Sequence, residues 1–465
     1  MTEKYDLAVI GSGPGGYVAA IRAAQLGKRV ICIEKEGEPG GTCLNVGCIP
    51  SKALLYSSYL ASPVASERLQ ANGIRIEGNI KIDFTRMMER KRGIVNTFRE
   101  GIRHLFKKNG VVTLQGEGSL LSPRTIAVEN REIVAENIIL ATGSRPASLP
   151  FLPFDEKRIL SSTGALALET VPKKMIVVGA GAIGLELGSV YRRLGSEVMI
   201  VEFLDRVCAE TDPDLSAGLF KVLQGRGIRF ALSTQVTGAT LSKEGAIVET
   251  SDSGGKRETH VADVILVCIG REPYTENLGL DQVGLRTDQK GRIPIDTGFR
   301  TSVPNIFAIG DVTAGPMLAH KASEEGYAVA EILAGRHPVV EYAAIPSVVY
   351  TEPEIASVGL TEGEGEKLME GGIKVSLSPL SANARARCTD TGEGFVKVIT
   401  CKRTDRIVGM HILASHAGEL ITQGSLAIRQ RLCARDVGET PFAHPLLSEA
   451  IKEAMLGIID KPLHF

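Results

Sequence analysis

Leu7-Ala8-Val9-Ile10-Gly11-Ser12-Gly13-Pro14-Gly15-Gly16 is an apolar run that turns at once into glycines. The run has the length of a buried strand, and Tyr17–Leu26 after it reads as a helix ended by Gly27. Arg29–Ile33 follows as a second strand, closing on Glu34. Strand, glycine turn, helix, strand and acid in this order form a dinucleotide site. Gly11 permits the tight turn, Gly13 lets a pyrophosphate approach the backbone, and Gly16 lets the helix lie close to the strand. The pyrophosphate rests on the helix N-terminus. Glu34 can accept hydrogen bonds from a ribose diol. A bare glycine turn would fit many α/β proteins; the strands, helix and acid in register decide the reading.

The same grammar recurs. Lys174–Val178 is a strand, and Gly179-Ala180-Gly181-Ala182-Ile183-Gly184 opens a helix running to about Leu194. Glu197–Val201 is the next strand and Glu202 closes it. The first glycine and the acid are 23 residues apart in each copy, Gly11 to Glu34 and Gly179 to Glu202. Two matched copies imply two dinucleotides, one passing electrons to the other. The residues alone do not say which copy takes which.

Between the copies stands Gly40 to Lys52, reading GGTCLNVGCIPSK, with Cys43 and Cys48. In straight helix this pair would be about 7.5 Å apart in axial rise alone. A disulfide wants its Cα atoms roughly 4.4–6.8 Å apart, so bridging needs a distorted backbone. Gly47 makes that distortion cheap, and Pro50 disturbs regular helix pairing just after it. By themselves the two cysteines fit two buried thiols, half a metal site or a redox pair.

Composition narrows the class. The chain has 465 residues, enough for two to four domains. Basic and acidic residues balance at 53 and 54, without a long block of either sign, so neither nucleic acid nor a membrane surface is favoured as partner. The longest apolar runs are strand-sized, and the start of the chain has no signal-peptide pattern. Eight cysteines scattered along the chain are not the framework of a small secreted protein. The expected compartment is reducing and cytoplasmic, where a disulfide is more often catalytic than structural.

The segment from Gly40 to Lys52, placed after the first fingerprint, resembles the redox-active stretch of the flavoprotein pyridine nucleotide-disulfide oxidoreductases. Its tail, Cys48-Ile49-Pro50-Ser51-Lys52-Ala53-Leu54-Leu55, is most similar to the branch that oxidises dihydrolipoyl groups. The resemblance spans essentially the whole chain. It implies FAD at the first fingerprint and NAD at the second, with Cys43 and Cys48 as the redox disulfide. It also implies that Gly143, in Ala141-Thr142-Gly143, returns the chain to the FAD edge. Asp311, in Ala308-Ile309-Gly310-Asp311, would bind the ribityl chain, with Met317 and Ala319 under the flavin. Lys52 would stabilise negative charge at the flavin, paired with Glu186 on the second fingerprint helix. Gly181, Gly184, Glu186, Glu202 and Gly270 would serve NAD.

The implied fold is α/β: two Rossmann-like dinucleotide-binding domains and an α+β dimerisation domain at the C-terminal end. The division expected is 1–145 for FAD, 146–271 for NAD, 272–341 completing the FAD site, and 342–465 at a homodimer interface. From Ala53 to Phe106 the chain reads as largely helical. Val111–Leu121 and Thr125–Val128 read as short antiparallel strands, and Val261–Ile269 as one strand. After Tyr342 the character changes, with Ser347–Tyr350, Phe395–Thr400 and Ile407–Ile412 as strands of an antiparallel sheet. Helices are expected at about Ala417–Arg431 and Ser448–Ile459.

Near the end stands Phe442-Ala443-His444-Pro445-Leu446-Leu447-Ser448-Glu449. A histidine beside a carboxylate is a general-base arrangement. Surface His–Glu pairs are common, but within the family pattern His444 and Glu449 are the implied catalytic pair, with His444 taking a proton from a dithiol substrate at the partner subunit's Cys43. Two positions depart from the family's usual string: Phe442 replaces a second histidine, and Leu446 a threonine, which alters the expected packing behind the imidazole. No cysteine pair stands in Asp460–Phe465, unlike a mercuric reductase, and Glu202 speaks against a glutathione-type enzyme using NADP. The implied partners are a lipoylated acyltransferase or the glycine-cleavage H protein of a 2-oxoacid dehydrogenase or related complex. No metal is expected.

Overall fold

The computed structural model describes residues 4–78, 80–242 and 245–465. They form two compact units. One takes the chain up to Leu54, Thr85–Ala147 and Gly270–Val340; the other takes Leu55–Phe84, Ser148–Ile269 and Glu341–Phe465.

The first unit is built on a mostly parallel sheet. Its parallel strands run Val112–Gln115, Val30–Glu34, Lys4–Ile10, Arg131–Leu140 and Ile306–Ala308. Leu7, Ala8 and Val9 are wholly buried, as expected of a parallel strand covered on both faces. Each such Leu or Val contributes about 1.5–3 kcal/mol by burial. The helix Pro14–Gln25 has Pro at its start, where a missing N–H costs nothing. It buries Gly15, Gly16, Ala19, Ala20 and Ala23, a stripe of small residues that lets helices approach closely. Val112–Gln115 differs from the sequence expectation: it is a parallel edge strand beside Val30–Glu34. Only Gly118–Ser122 and Thr125–Val128 form the antiparallel hairpin, which continues onto Arg131–Val134.

Among the described residues, the second unit holds three sheets. Arg229–Ala231, Glu197–Val201, Lys174–Val178, Val264–Val267 and Ile159–Leu160 lie parallel in that order. Thr234–Ser242, Gly245–Asp252 and Arg257–Ala262 form an antiparallel sheet that the sequence pattern did not disclose. The expected single strand Val261–Ile269 is therefore two. Asp263 makes the corner, its N–H bonded to Lys174 O and its carboxylate to Lys174 N, so the chain changes sheet there. The third sheet is antiparallel in the order Ser347–Val349, Glu354–Gly359, Ile407–Ala414, Phe395–Cys401 and Ile373–Pro379. The helices Ala417–Arg429 and Glu449–Ile459 bury Ile421, Ile451 and Met455 in this sheet's core. Among the described residues, no helix is long and apolar enough to cross a membrane.

Candidate functional site

The two fingerprints are built alike in their backbone contacts. Gly11 has φ +99° and Gly179 φ +106°, a region open to glycine at no steric cost. A Cβ at Gly16 would overlap the Gly11 carbonyl oxygen, and one at Gly184 the Gly179 carbonyl oxygen. Glu34 Oε2 accepts from Ser12 N at 2.9 Å and Oε1 from Glu36 N at 3.1 Å. Glu202 Oε2 accepts from Ala180 N at 2.6 Å and Oε1 from Leu204 N at 2.9 Å. Each acid is thus anchored by the residue after the first glycine and by the N–H two residues beyond itself. In both copies the third glycine cannot be enlarged and the second has open space, since only Gly41 Cα comes within 4.0 Å of a Cβ built at Gly13 and nothing does at Gly181.

Other expected residues of the first unit converge on Gly11 and Gly13. A Cβ on Gly11 would overlap the Ala141 carbonyl, so Ala141-Thr142-Gly143 passes directly beside the turn. Gly40 N donates to Ser12 O at 2.9 Å, and a Cβ on Gly41 would come within 2.6 Å of Gly13 Cα. The cysteine segment is therefore docked on the fingerprint by two glycines. From there Gly41–Val46 is one short helix and Cys48–Leu60 another, broken at Gly47 with φ −141° and ψ −114°. This break lets the two sulfurs meet in spite of their helical spacing. Cys43 is half-buried and Cys48 exposed, and both are free thiols in this structure, not a disulfide. The hydrogen bond with Cys48 and then burial push the Cys43 thiol up, with Lys52 pulling the other way. Burial, with the nearby Cys43, likewise raises Tyr17.

Asp311 lies on a short 3-10 turn, Gly310–Val312, after the strand Ile306–Ala308. Its carboxylate accepts from Ser144 Oγ at 2.5 Å. Arg271 Nε donates to Ser144 Oγ at 2.7 Å and its Nη2 to Ser144 O at 2.6 Å. Burial lowers Arg271, opposed by Asp311 and Cys48. Ser144 and Arg271 were not singled out from sequence, although a signal was there. Gly143-Ser144-Arg145-Pro146 and Gly270-Arg271-Glu272-Pro273 are similar tetrapeptides, and Ser144–Pro146 pairs antiparallel with Arg271–Pro273. Gly143 and Gly270, expected at different nucleotides, flank this one ribbon, each with positive φ. Met317 and Ala319 stand at the start of the helix Ala319–Leu333, with Leu318 as its N-cap.

In the second unit, Glu186 is buried on the helix Ala182–Arg193 and accepts from Tyr350 N at 3.0 Å. Its expected partner Lys52 belongs to the first unit, as do both cysteines, while His444 and Glu449 belong to the second. His444 Nδ1 meets Glu449 Oε1 at 3.0 Å, and Glu449 Oε2 accepts from Leu446 N at 2.7 Å. Partial burial opposes the Glu449 charge, but the Leu446 N–H and His444 outweigh it and hold the carboxyl below its usual range. The carboxylate therefore orients the ring through Nδ1 and leaves Nε2 free to face a substrate. The side chain of His444 is 72 % exposed. Leu446 is exposed too, and its backbone O accepts from Asn383 Nδ2 at 3.0 Å. Phe442 lies under Lys452, 5.8 Å from ring centroid to Nζ.

The chain matches the family described as "Pyridine nucleotide-disulphide oxidoreductase" over residues 5–326, and that family's dimerisation domain over 345–455. It belongs to the pyridine nucleotide-disulphide oxidoreductases. It is accordingly an oxidoreductase that uses FAD and NAD, with a dimerisation domain that makes it a homodimer. The glycine cradles fit these groups: a helix N-terminus with open space above the second glycine and an acid one strand away, twice over. The "Dihydrolipoyl dehydrogenase, mitochondrial" of Pisum sativum is 47% identical, covering 100% of this chain and 93% of its own length. "Dihydrolipoyl dehydrogenase" of Trypanosoma brucei brucei is 48% identical, covering 100% and 98%. Among solved structures, LpdA from Mycobacterium tuberculosis superposes with a TM-score of 0.89 at 26% identity, covering 98% of this chain and 100% of that one.

Proposed function

We propose that this chain is a dihydrolipoyl dehydrogenase, oxidising protein-bound dihydrolipoyl groups to the cyclic disulfide and reducing NAD to NADH. The observation that carries the reading is the Cys43–Cys48 pair, joined by a hydrogen bond and docked by Gly40 and Gly41 on the first fingerprint. Relatives named for this activity match over the full chain at 47–48% identity.

The reaction starts from the bridged form of Cys43 and Cys48. A substrate thiol, near pKa 8.5 and little ionised at neutral pH, gives its proton to His444 Nε2 of the partner subunit. The thiolate attacks Cys43 Sγ, the Cys43–Cys48 bond breaks, and Cys48 leaves as thiolate. The second substrate thiol displaces Cys43 from the mixed disulfide, closing the substrate's own S–S bond. Cys43 takes the proton, which agrees with its raised pKa. FAD would be held at Gly11, Gly13, Gly16 and Glu34 and would supply the two-electron acceptor between the cysteine pair and NAD. Lys52 would compensate negative charge at that group. Asp311, with Met317 and Ala319, orients the flavin, and Glu202 selects NAD.

The four-part division at 145, 271 and 341 belongs to this proposal, as do a lipoylated acyltransferase or glycine-cleavage H protein as partner and a cytoplasmic setting. The test is NADH formation by purified protein given free dihydrolipoamide, compared with reduced glutathione and NADP. Turnover with dihydrolipoamide and NAD, lost in Cys48→Ser while FAD stays bound, is the expected result. Equal rates on glutathione with NADP would refute the substrate assignment.

A further inference from the structure

The helix Ala319–Leu333 carries Lys321 and Glu325 one turn apart. Their side chains are 3.0 Å apart and each is 1% exposed. A buried ion pair is weak evidence for stability, since apolar residues of similar volume often serve as well. The surroundings of this pair give it another role. Glu325 Oε2 accepts from Gly310 N at 2.7 Å, and Lys321 Nζ donates to Gly310 O at 3.1 Å. The Thr313 hydroxyl donates to the same oxygen at 2.8 Å. One residue, Gly310, is therefore held at both its N–H and its carbonyl by opposite charges. Its φ of +74° lies where glycine is at ease and other residues are not.

We propose that the Lys321–Glu325 pair is a positioning device for the flavin: by gripping Gly310 at both ends it fixes the direction in which Asp311 leaves the turn. The proposal rests on the assignment of Asp311 to FAD. The side chain of Asp311 is aimed from a second direction by Ser144 and Arg271. The same helix also reaches the first fingerprint. A Cβ on Gly326 would overlap the Gly15 carbonyl oxygen, and one on Gly15 would come within 2.9 Å of Ala322 O. Ala322 and Gly326 thus lie on the helix Pro14–Gln25, while Lys321 and Glu325, each one residue earlier, hold Gly310. The helix is a splint that sets the distance between the pyrophosphate end of the site and Asp311.

The experiment measures the rate at which FAD leaves the holoenzyme, read as the rise of free flavin fluorescence. Three variants are compared: Asp311→Ala, the double variant Lys321→Met/Glu325→Leu, and all three changes together. The double variant removes both charges and keeps the bulk, so the fold is retained. Supporting partners of a contact residue are typically worth about 10–100-fold in metal sites, and FAD should leave faster by a factor in that range. Because the pair acts through Asp311, adding Asp311→Ala to the double variant should change the rate little further. A wild-type rate in the double variant, or two effects that simply multiply, would overturn the proposal, because independent sites are additive in free energy. A wild-type rate in Asp311→Ala would instead overturn the assignment of Asp311 itself. If the double variant does not fold, Lys321→Gln, which keeps a donor of shorter reach, takes its place in the same cycle with the same outcomes.

Discussion

Glu202 is one carboxylate held by two backbone N–H groups, from Ala180 and Leu204, at the end of the strand Glu197–Val201. A 2′-phosphate brought to this edge would meet a fixed negative charge. Arg206, the nearby cation that could pair with it, donates instead to Ala209 O at 3.0 Å within its own loop. Like charges brought together cost several kcal/mol, a factor of about 100 or more. The ratio of kcat/KM for NADH over NADPH is expected to exceed that factor and to collapse in Glu202→Ala; comparable values in the unmodified protein would contradict it. Glu34, Glu202, Cys43, Cys48, His444 and Glu449 were legible because each sits inside a short string with its own spacing. Ser144 and Arg271 were not, because they meet Asp311 and each other across 167 and 127 residues of chain; Lys321 and Glu325 were not, because nothing in their own string shows that the Gly310 backbone is their partner.

The elements of the two fingerprints make a natural pair of experiments. At Gly16 an added side chain runs into the Gly11 carbonyl; at Gly184 it runs into the Gly179 carbonyl and comes within 2.9 Å of Cys268 Sγ. Overpacking of this kind costs about 1–3 kcal/mol. Gly16→Val should therefore purify with little or no flavin. Gly184→Val should keep its flavin and bind NADH about tenfold or more weakly, which equilibrium titration would read. Loss of FAD from both variants alike would show that the copies are not separate sites. Both fingerprints could be read from sequence because strand, turn and helix are contiguous. The strand Val112–Gln115 could not be assigned its parallel partner, since pairing is set by the sheet and not by the strand's own residues. The sheet of Thr234–Ser242, Gly245–Asp252 and Arg257–Ala262 was missed because its two outer strands are rich in polar, exposed residues, although the middle one buries Ala246 and Val248.

At the scale of the molecule, the second unit is joined internally through Lys397. This lysine is 2% exposed and meets Asp212 at 3.0 Å, Asp214 at 2.7 Å and Glu362 at 2.6 Å. Asp212 is the N-cap of the helix Pro213–Gly225, while Lys397 lies on the antiparallel sheet, so one cation ties two layers together. Burial works against the charge of Asp212, but Lys397 and the Glu362 N–H outweigh it and hold the carboxyl below its usual value. A depressed carboxyl contributes stability above its unfolded pKa and loses it as the pH falls through the folded value. Lys397→Met leaves Asp212 buried and unpaired, and should cost about 3–5 kcal/mol, read as a lower denaturant midpoint. Acid unfolding of the variant should begin at higher pH; an unchanged midpoint and acid limb would show that the cluster carries no stability.

The cysteines lie in the first unit and the His444–Glu449 pair in the second, and their union across two copies of the chain is the central claim. His444→Gln alone should slow dithiol oxidation by about 10²–10⁴-fold, the usual worth of a general base. The reduction of a dye by NADH, which bypasses the thiols, should remain. The most direct measurement mixes two inactive proteins, Cys48→Ser and His444→Gln, by dissociating and reassociating their dimers. In a two-fold dimer, one site of each mixed pair collects both defects and the other has neither. Dihydrolipoamide oxidation should return to about a quarter of the wild-type level, because half the dimers are mixed and each has one intact site. Mixed dimers shown by tag pull-down, with no return of activity, would contradict the shared site.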